Sequence, residues 1–295
     1  MQTLVVGLLC ATLVSMGGRA LALSITPTDD AMTLATMILG AGISLVGTPI
    51  YSGAPGAAGT FNDGLAAGIG MDAGMLLTTG TATDAVGPNR ADDTTTVNDP
   101  FGGGFSPLGF LTFDAAVLDF IFVTDGDNLF FNYVLASEEY SEFVNFPFND
   151  MFAFFLDGQN IALLPGTTDP VAINTVNGGN PLGSNASNPD LFNDNAYSHP
   201  LASPFALEYD GFTDVLRVEV RNLAPGPHTI QLAIADAGDF FLDSAVFIQA
   251  GTFSDRPTSP FPPTTHTPEP GTLLLLGTGL LSLVGYGWRQ RQEKV

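Results

Sequence analysis

Cysteine and lysine are almost absent from the 295-residue chain, which has one of each, both near its ends. Cys10 lies within an apolar N-terminal run, and the sequence after it has no thiol that could form a disulfide or act as a nucleophile. Lys294 is the penultimate residue, so a lysine–asparagine isopeptide cross-link cannot form in the intervening sequence. A domain built from that sequence must be stabilised by its apolar core or by a bound ion.

Positive charge is scarce as well, since 8 basic residues face 30 acidic ones and the net charge is −22. Between the two end segments, the basic residues are Arg90, Arg217, Arg221 and Arg256. Such a surface repels nucleic acid, so we expect no nucleic-acid partner. It is compatible with cations such as Ca²⁺, although an acidic surface also simply keeps an extracellular protein soluble.

The N-terminus has the pattern of a signal peptide, predicted over residues 1–22. Its apolar run, residues 4–16, is too short to span a bilayer comfortably, and Ala20-Leu21-Ala22 supplies the small residues that signal peptidase requires. No basic residue precedes the run, which leaves an uncleaved anchor as the alternative. We predict export and cleavage by signal peptidase after Ala22.

The C-terminus combines a proline-rich linker, residues 252–267, with a tail over residues 268–295. The tail begins with Pro268-Glu269-Pro270 and continues into an apolar segment, residues 272–288, which is near the lower length limit for a transmembrane helix. The basic residues after it would stay in the cytoplasm and place the domain on the far side of the inner membrane. A plain membrane anchor is the alternative interpretation.

This tail resembles the PEP-CTERM sorting signal of Gram-negative bacteria, because the Pro-Glu-Pro motif, the apolar run and the basic end occur in that order. The resemblance implies that an exosortase in the inner membrane recognises the tail. Processing would then release or transfer the protein to the cell surface, usually in species that produce an extracellular polysaccharide matrix.

Between the two ends, the patterning predicts many short strands. Asp30 precedes apolar residues at helical spacing and predicts one short helix. Residues 117–135 are predicted to form one hairpin, and residues 151–156 and 161–164 a second one around Asp157-Gly158. Residues 80–109 and 175–203 are predicted to be long loops. The predicted fold class is mainly β: an antiparallel sandwich or jelly roll with a short N-terminal helix, plus a C-terminal transmembrane helix.

Two acidic clusters, residues 136–150 and 234–244, each follow an apolar strand and could meet at one edge of the sheet. Their side-chain oxygens are the hard ligands that Ca²⁺ prefers, and a Ca²⁺ site is therefore predicted among them. The candidate ligands are Glu138, Glu139, Asn149, Asp150, Asp236, Asp239 and Asp243. The alternative is that Ser137, Asn149 and Asp243 cap strands and turns while the glutamates face water.

Catalysis is not expected. Glu138 and Glu139 are adjacent and would point to opposite faces of a strand. A partner such as Asp236 could complete a glycosidase pair, and this keeps a polysaccharide hydrolase open as an alternative. Phenylalanines in loops, namely Phe101, Phe105 and Phe146, could stack on sugar rings, although most aromatic residues are expected in the core.

Several separated motifs also resemble the choice-of-anchor L domain, over most of residues 23–251. The motifs are residues 68–74, 76–80, 131–140, 148–150, 154–156, 171–177, 234–239 and 243–247. The resemblance implies a surface or matrix domain with no settled biochemical activity, so it assigns no site residues. We therefore expect an exported structural or adhesive protein of the cell surface or extracellular matrix. The alternatives are a Ca²⁺-dependent carbohydrate-binding module that takes extracellular polysaccharide, and a polysaccharide hydrolase.

Overall fold

A computed structural model describes residues 22–96, 111–199 and 205–258, and their fold is mainly β. Two α-helices, α1 (Ala31–Ile38) and α2 (Gly64–Ala67), and two 3₁₀ turns, Ala82–Ala85 and Pro189–Leu191, accompany the strands. The strands are β1 (Ser24–Pro27), β2 (Ile43–Ser52), β3 (Ala58–Asn62), β4 (Gly74–Thr78), β5 (Thr112–Thr124), β6 (Asn128–Ser137), β7 (Met151–Leu156), β8 (Gln159–Asn160), β9 (Phe192–Asp194), β10 (Gly211–Thr213), β11 (Leu216–Arg221), β12 (His228–Ala237) and β13 (Ser244–Gln249).

The strands form two antiparallel sheets. The large sheet has the order β1-β3-β4-β13-β6-β10-β9, and β11 pairs with the first half of β6, beside β10. The small sheet has the order β2-β5-β12-β7-β8. Both central strands, β6 and β12, are buried along most of their length. A strand buried on both faces forms a near-continuous apolar run, as β6 does, whereas β12 alternates in its first half and is fully buried in its second.

An aromatic cluster fills the space between the two sheets. Phe131 of the large sheet lies 5.0 Å from Phe154 of the small sheet, between ring centroids, and Tyr133 lies 5.0 Å from Phe152. Phe253, just after β13, contacts the ring of Phe131 at 5.3 Å. Aromatic pairs in these edge-to-face and stacked arrangements add to the free energy of burying their area.

The outer face of the large sheet is buried too, and this distinguishes it from a simple two-layer sandwich. Val134, Ala136 and Phe247 point to this face and are covered by side chains from α2 and the connections beside it, including Ile69, and from the segment before β10, including Leu207. The end of the large sheet is therefore enclosed on both faces, which decides the burial of any polar residue placed there.

Several local predictions are confirmed. Helix α1 begins after Asp30, whose side chain accepts a hydrogen bond from the Thr33 backbone amide. The alternating apolar residues of 216–221 and 230–234 predict two strands and residues 245–248 a last one, and β11, β12 and β13 occur there. Asp157 and Gly158 both adopt positive φ between β7 and β8, as a two-residue hairpin turn requires. The returning strand is shorter than predicted and lies earlier in the chain, since β8 covers Gln159–Asn160. Within the predicted strand 161–164, Leu163 forms an isolated β-bridge with Pro170.

The predicted hairpin over residues 117–135 is wrong. Strand β5 belongs to the small sheet and β6 to the large one, so the turn at Asp125-Gly126-Asp127 carries the chain from one sheet to the other. The same turn residues suit a tight hairpin and a crossover between packed sheets. The partner of each strand is decided by long-range pairing, β5 with β12 and β6 with β13.

Within the ranges that the structure describes, no helix is both long enough and apolar enough to cross a membrane. The predicted signal peptide, except for Ala22, and the predicted transmembrane segment 272–288 lie outside those ranges, as do Phe101 and Phe105.

Candidate functional site

The two acidic clusters of the sequence meet at one end of the sandwich. Strands β6 and β12 finish there, and β7 and β13 begin there, because neighbouring antiparallel strands run in opposite directions. The backbone amide of Glu138, just after β6, donates to the carbonyl of Asp243, just before β13, at 3.0 Å. The adjacency that the sequence left open is therefore present in the fold. We call this region the acidic end.

The large sheet divides the acidic end into two groups of carboxyls. Val134 and Ala136 of β6 pack on the outer face while Tyr133 and Leu135 pack on the inner one, so Glu138 continues the outer series and Glu139 the inner. Their charged neighbours differ accordingly: Asp210 and Asp243 raise the pKa of Glu138, while Asp150 and Asp239 raise that of Glu139. These different neighbours agree with the prediction that the two glutamates face opposite ways, which assumed a strand, whereas both lie in the turn after β6.

The outer group forms a row across the sheet, which we call the outer row: Asp243, Glu138, Asp210 and Asn195. Ser137 pairs with Ser244 on one side and Gly211 on the other, which places Asp243 and Asp210 on either side of Glu138. Gly211 in turn pairs with Asp194, and Asn195 donates its backbone amide to the Asp210 carbonyl at 2.7 Å. Cross-strand neighbours of this kind have Cβ atoms about 4.5–5.5 Å apart and share a face.

Hydrogen bonds hold part of the outer row in place. The backbone amide of Thr96 donates to both carboxylate oxygens of Asp243, at 2.9 and 3.1 Å. The side-chain amide of Asn89 donates to Oδ1 of Asp210 at 2.5 Å. The remaining oxygens are buried and have no hydrogen-bond partner: both of Glu138, Oδ2 of Asp210 and Oδ1 of Asn195. The row therefore presents acceptors without matching donors.

The inner group consists of Glu139, Asp150 and Asp236, which lie on the side facing the small sheet. Asp150 is satisfied, because it accepts from the Ala237 backbone amide at 2.9 Å and from Ser244 Oγ at 2.8 Å. Both oxygens of Asp236 and Oε2 of Glu139 are buried without a partner of acceptable geometry. Thr79 is near enough to Asp236 to favour its charged form, but burial outweighs that effect.

Burial raises the pKa of the carboxyls at the acidic end, and mutual repulsion raises it further. The pKa rises to about 11 for Glu138, about 10 for Glu139 and about 9 for Asp210. It rises to about 7 for Asp150 and Asp243, and well above the ordinary range for Asp236. The ion pairs within the described residues involve other carboxylates, so no basic side chain neutralises these six.

A cleft of about 450 Å³ opens beside the inner group, and we call it the phenylalanine cleft. Its apolar wall contains Phe143, Phe148 and Phe241, and its polar wall contains Glu139 and Asp239. The rings of Phe143 and Phe148 lie edge to face, 5.7 Å apart. A pocket that combines an apolar wall with a few convergent polar groups is the usual form of a small-molecule site.

The predicted candidate ligands are distributed unevenly. Glu138 and Asp243 lie in the outer row, Glu139, Asp150 and Asp236 in the inner group, and Asp239 at the cleft. Asn149 serves the loop instead, because its Oδ1 accepts from the Asn174 backbone amide at 2.8 Å.

The alternative prediction of water-facing glutamates is wrong, since Glu138 and Glu139 are each only 1% exposed. The predicted capping roles are present, because Ser137 Oγ accepts from the Glu139 backbone amide.

Sequence reasoning missed Asp210, Asn195 and Asn89. Asn89 and Asn195 lie in the two stretches that are predicted as loops, and Asp210 lies outside them, directly before β10. Their contribution depends on how these segments fold over the sheet. A weak signal was present in Glu208-Tyr209-Asp210, two carboxylates immediately before a glycine-led strand. Among the described residues, no three carboxylate or histidine side chains converge as a ready-made metal centre. A Ca²⁺ site at the acidic end therefore stays a prediction.

Comparison with known families matches both parts of the sequence. The model of the choice-of-anchor L domain matches residues 30–254, and the model of the PEP-CTERM protein-sorting motif matches residues 266–292. Comparisons with curated proteins and with solved structures gave no match. The two family matches indicate an exosortase-sorted surface protein, exported through a membrane-anchored intermediate in a Gram-negative bacterium.

Proposed function

The chain belongs to the choice-of-anchor L domain family, and we propose that it is an adhesive component of the extracellular matrix that holds polysaccharide in the phenylalanine cleft. Export and sorting by an exosortase deliver the domain outside the cell, where matrix polysaccharide is an available partner. The signal peptide and the tail serve that delivery, through signal peptidase and the inner membrane, and the folded domain performs the adhesion.

The observation that carries this proposal is the lining of the phenylalanine cleft. Phe241 is 49% exposed, and it lies beside Glu139, Asp239 and Thr95. The flat face of a sugar ring packs on an aromatic side chain, while its hydroxyls donate to carboxylate oxygens. A neutral polysaccharide suits this site, because the net charge of −22 repels anionic polymers.

The test compares two phenylalanines of equal exposure. Phe241→Ala removes the exposed ring of the cleft, and Phe146→Ala removes a ring that is 51% exposed but does not line it. With the extracellular polysaccharide of the producing strain as probe, affinity electrophoresis of the full-length protein in detergent should show binding lost in the first variant and kept in the second. Binding kept by F241A, or lost in F146A alone, would refute the cleft.

Binding without cleavage is part of the proposal. After incubation with the protein, the chain length of the polysaccharide, measured by size-exclusion chromatography, should be unchanged. A shortened polymer would make the protein a hydrolase instead, and the loss of that activity in Glu139→Gln or Asp236→Asn would then identify the carboxyl that acts.

Calcium dependence is the second candidate function, and it is favoured by the unpartnered carboxylate oxygens at the acidic end. If Ca²⁺ bridges the protein to sugar hydroxyls, a chelator should abolish binding to the polysaccharide immediately. If Ca²⁺ only stabilises the domain, the folded protein should bind equally well with and without the chelator. The two results assign the ion to recognition or to structure.

The matrix location has its own test, which depends on the sorting motif rather than the fold. Replacing Pro268, Glu269 and Pro270 together by alanine should trap the protein in the inner-membrane fraction, since the apolar run and the basic end are kept. The unaltered protein should be recovered from the matrix fraction. Recovery of both forms in the matrix would show that the motif does not direct the final location.

A further inference from the structure

We infer that the outer row holds a structural Ca²⁺ ion between Glu138, Asp210 and Asn195, a set of two carboxyls and one amide whose unpartnered oxygens are buried. The inference is argued separately from polysaccharide binding, because none of the four residues of the outer row lines the phenylalanine cleft. Two of these three ligands, Asp210 and Asn195, are absent from the ligands that the sequence suggests.

The geometry of the row carries the inference. Four neighbouring backbone positions, just after β6 and β9 and just before β10 and β13, bring these side chains onto one face of the sheet. Glu138, Asp210 and Asn195 are each at most 1% exposed. Water is therefore largely excluded, and any charge there must be neutralised from within the site.

Every unpartnered atom in the row is an oxygen that accepts. The side-chain nitrogen of Asn195 donates to the carbonyls of Leu207 and Tyr209, at 2.9 and 2.8 Å, which leaves its Oδ1 free to accept. Both oxygens of Glu138 and Oδ2 of Asp210 are in the same position. Buried acceptors with no donor are satisfied by a cation, and Ca²⁺ binds carboxylate and amide oxygens in flexible arrangements of six to eight ligands.

Protons are the competing explanation, since neutral carboxyls would remove the repulsion without an ion. Glu138→Gln separates the two, because glutamine has the shape of a protonated glutamate but cannot supply a carboxylate to Ca²⁺. Asp236→Asn is the matched control, as it neutralises an equally buried carboxyl of the inner group that also lacks a hydrogen bond of acceptable geometry. Mg²⁺ at equal ionic strength controls for the general effect of divalent cations on a highly acidic protein.

The experiment measures the melting temperature of the full-length protein in detergent after treatment with a chelator. Ca²⁺ at about a hundred times its Kd should raise the melting temperature by about 5–10 °C, and Mg²⁺ by clearly less. The rise should vanish in E138Q and persist in D236N. No rise specific to Ca²⁺, a full rise in E138Q, or a rise lost only in D236N would each overturn the inference.

Terbium luminescence provides a readout that does not depend on any variant folding. Tb³⁺ replaces Ca²⁺ in oxygen sites and is excited by a nearby tyrosine, and Tyr209 directly precedes Asp210 and interacts electrostatically with Glu138. The unaltered protein should give tyrosine-excited terbium emission that Ca²⁺ displaces. Absence of that emission would overturn the inference. If E138Q does not fold, Asp210→Asn takes its place in the melting experiment with the same expected loss.

Discussion

Strand β12 begins and finishes at two electrostatically different ends of the sandwich. At its start, His228 Nδ1 lies 2.7 Å from Asp157 Oδ2, and the Thr229 backbone amide donates to Asp157 at 2.8 Å. These contacts lower the pKa of Asp157 although burial acts against them. At its finish, burial raises the pKa of Asp236, and neither of its oxygens has a hydrogen bond of acceptable geometry. The charged form of an aspartate is thus stabilised at the start of β12 and destabilised at its finish.

The difference shows that carboxyl content alone does not make a site. At the start of β12, which we call the paired end, a histidine and a backbone amide stabilise the charge of Asp157. This end is therefore a structural feature. The acidic end places several carboxyls where the fold supplies too few donors. Perturbed, unneutralised groups gathered beside a cleft are typical of functional sites, which is why we propose that the acidic end binds a ligand.

The aromatic cluster between the two sheets gives a reference value for the stability changes expected at either end of the sandwich. Phe131→Ala removes a fully buried ring that contacts Phe154 and Phe253, and should lower the free energy of unfolding by about 3–5 kcal/mol. Urea denaturation measures it, with F146A as the exposed control that should change by under about 0.5 kcal/mol. Similar losses in both variants would mean that the sandwich interior is not packed as described.

Within the acidic end, the effect of a mutation on stability can be compared between Asp150, which has hydrogen-bond partners, and Asp236, which has none of acceptable geometry. Asp150→Ala leaves the Ala237 amide and Ser244 Oγ buried without an acceptor, and should cost about 2–4 kcal/mol in urea denaturation. Asp236→Asn removes no hydrogen bond of good geometry, and should change stability by under about 1 kcal/mol or increase it. Equal losses in the two variants would contradict the described partners.

Gly80 tests how tightly the outer row is enclosed. A Cβ at this position would lie 1.8 Å from Oδ2 of Asp243, so Gly80→Ala must displace the carboxylate that accepts from the Thr96 amide. We expect a loss of about 1–3 kcal/mol in thermal or urea denaturation. Gly126→Ala is the control, because its nearest neighbour would be 3.3 Å away and its φ is not positive. A harmless G80A would show that Asp243 can move freely.

The paired end should show its contribution through pH. The pKa of His228 is raised: burial acts to lower it, but its hydrogen bonds to Asp157 and to the Ala224 carbonyl prevail. A raised histidine pKa gives stability that is complete below the ordinary value of 6.5 and is lost as pH rises through the folded value. The lowered pKa of Asp157 gives stability that is present above 3.8 and lost as pH falls through its folded value.

Asp157→Asn keeps an acceptor for Thr229 and removes the charge, so it isolates this ionic contribution. The stability difference between the native protein and D157N should be largest between about pH 4.5 and 6, and should shrink towards pH 8.5. Its size should stay under about 1 kcal/mol, because the Asp157 side chain is 49% exposed and water screens the pair. A difference that grows with pH would contradict the pairing.

Local patterning was sufficient for much of the fold. Alternation located β11, helical spacing after a capping Asp30 located α1, and Asp157-Gly158 located a hairpin turn. It failed at Asp125-Gly126-Asp127, where identical turn chemistry joins two different sheets. A turn restricts only the residues inside it, whereas the choice of partner strand depends on residues far away in the sequence.

The candidate site divides in the same way. The sequence by itself determined an exported, lysine-poor and strongly acidic domain, and it predicted that Glu138 and Glu139 would face apart, since side chains alternate along any strand. Only the tertiary structure decided that Asp210 and Asn195 join Glu138 and Asp243 in one row, and that their oxygens are buried without donors. Alternation is a local property of the backbone, whereas the neighbours and burial of a side chain are fixed by strand pairing and packing across the whole domain.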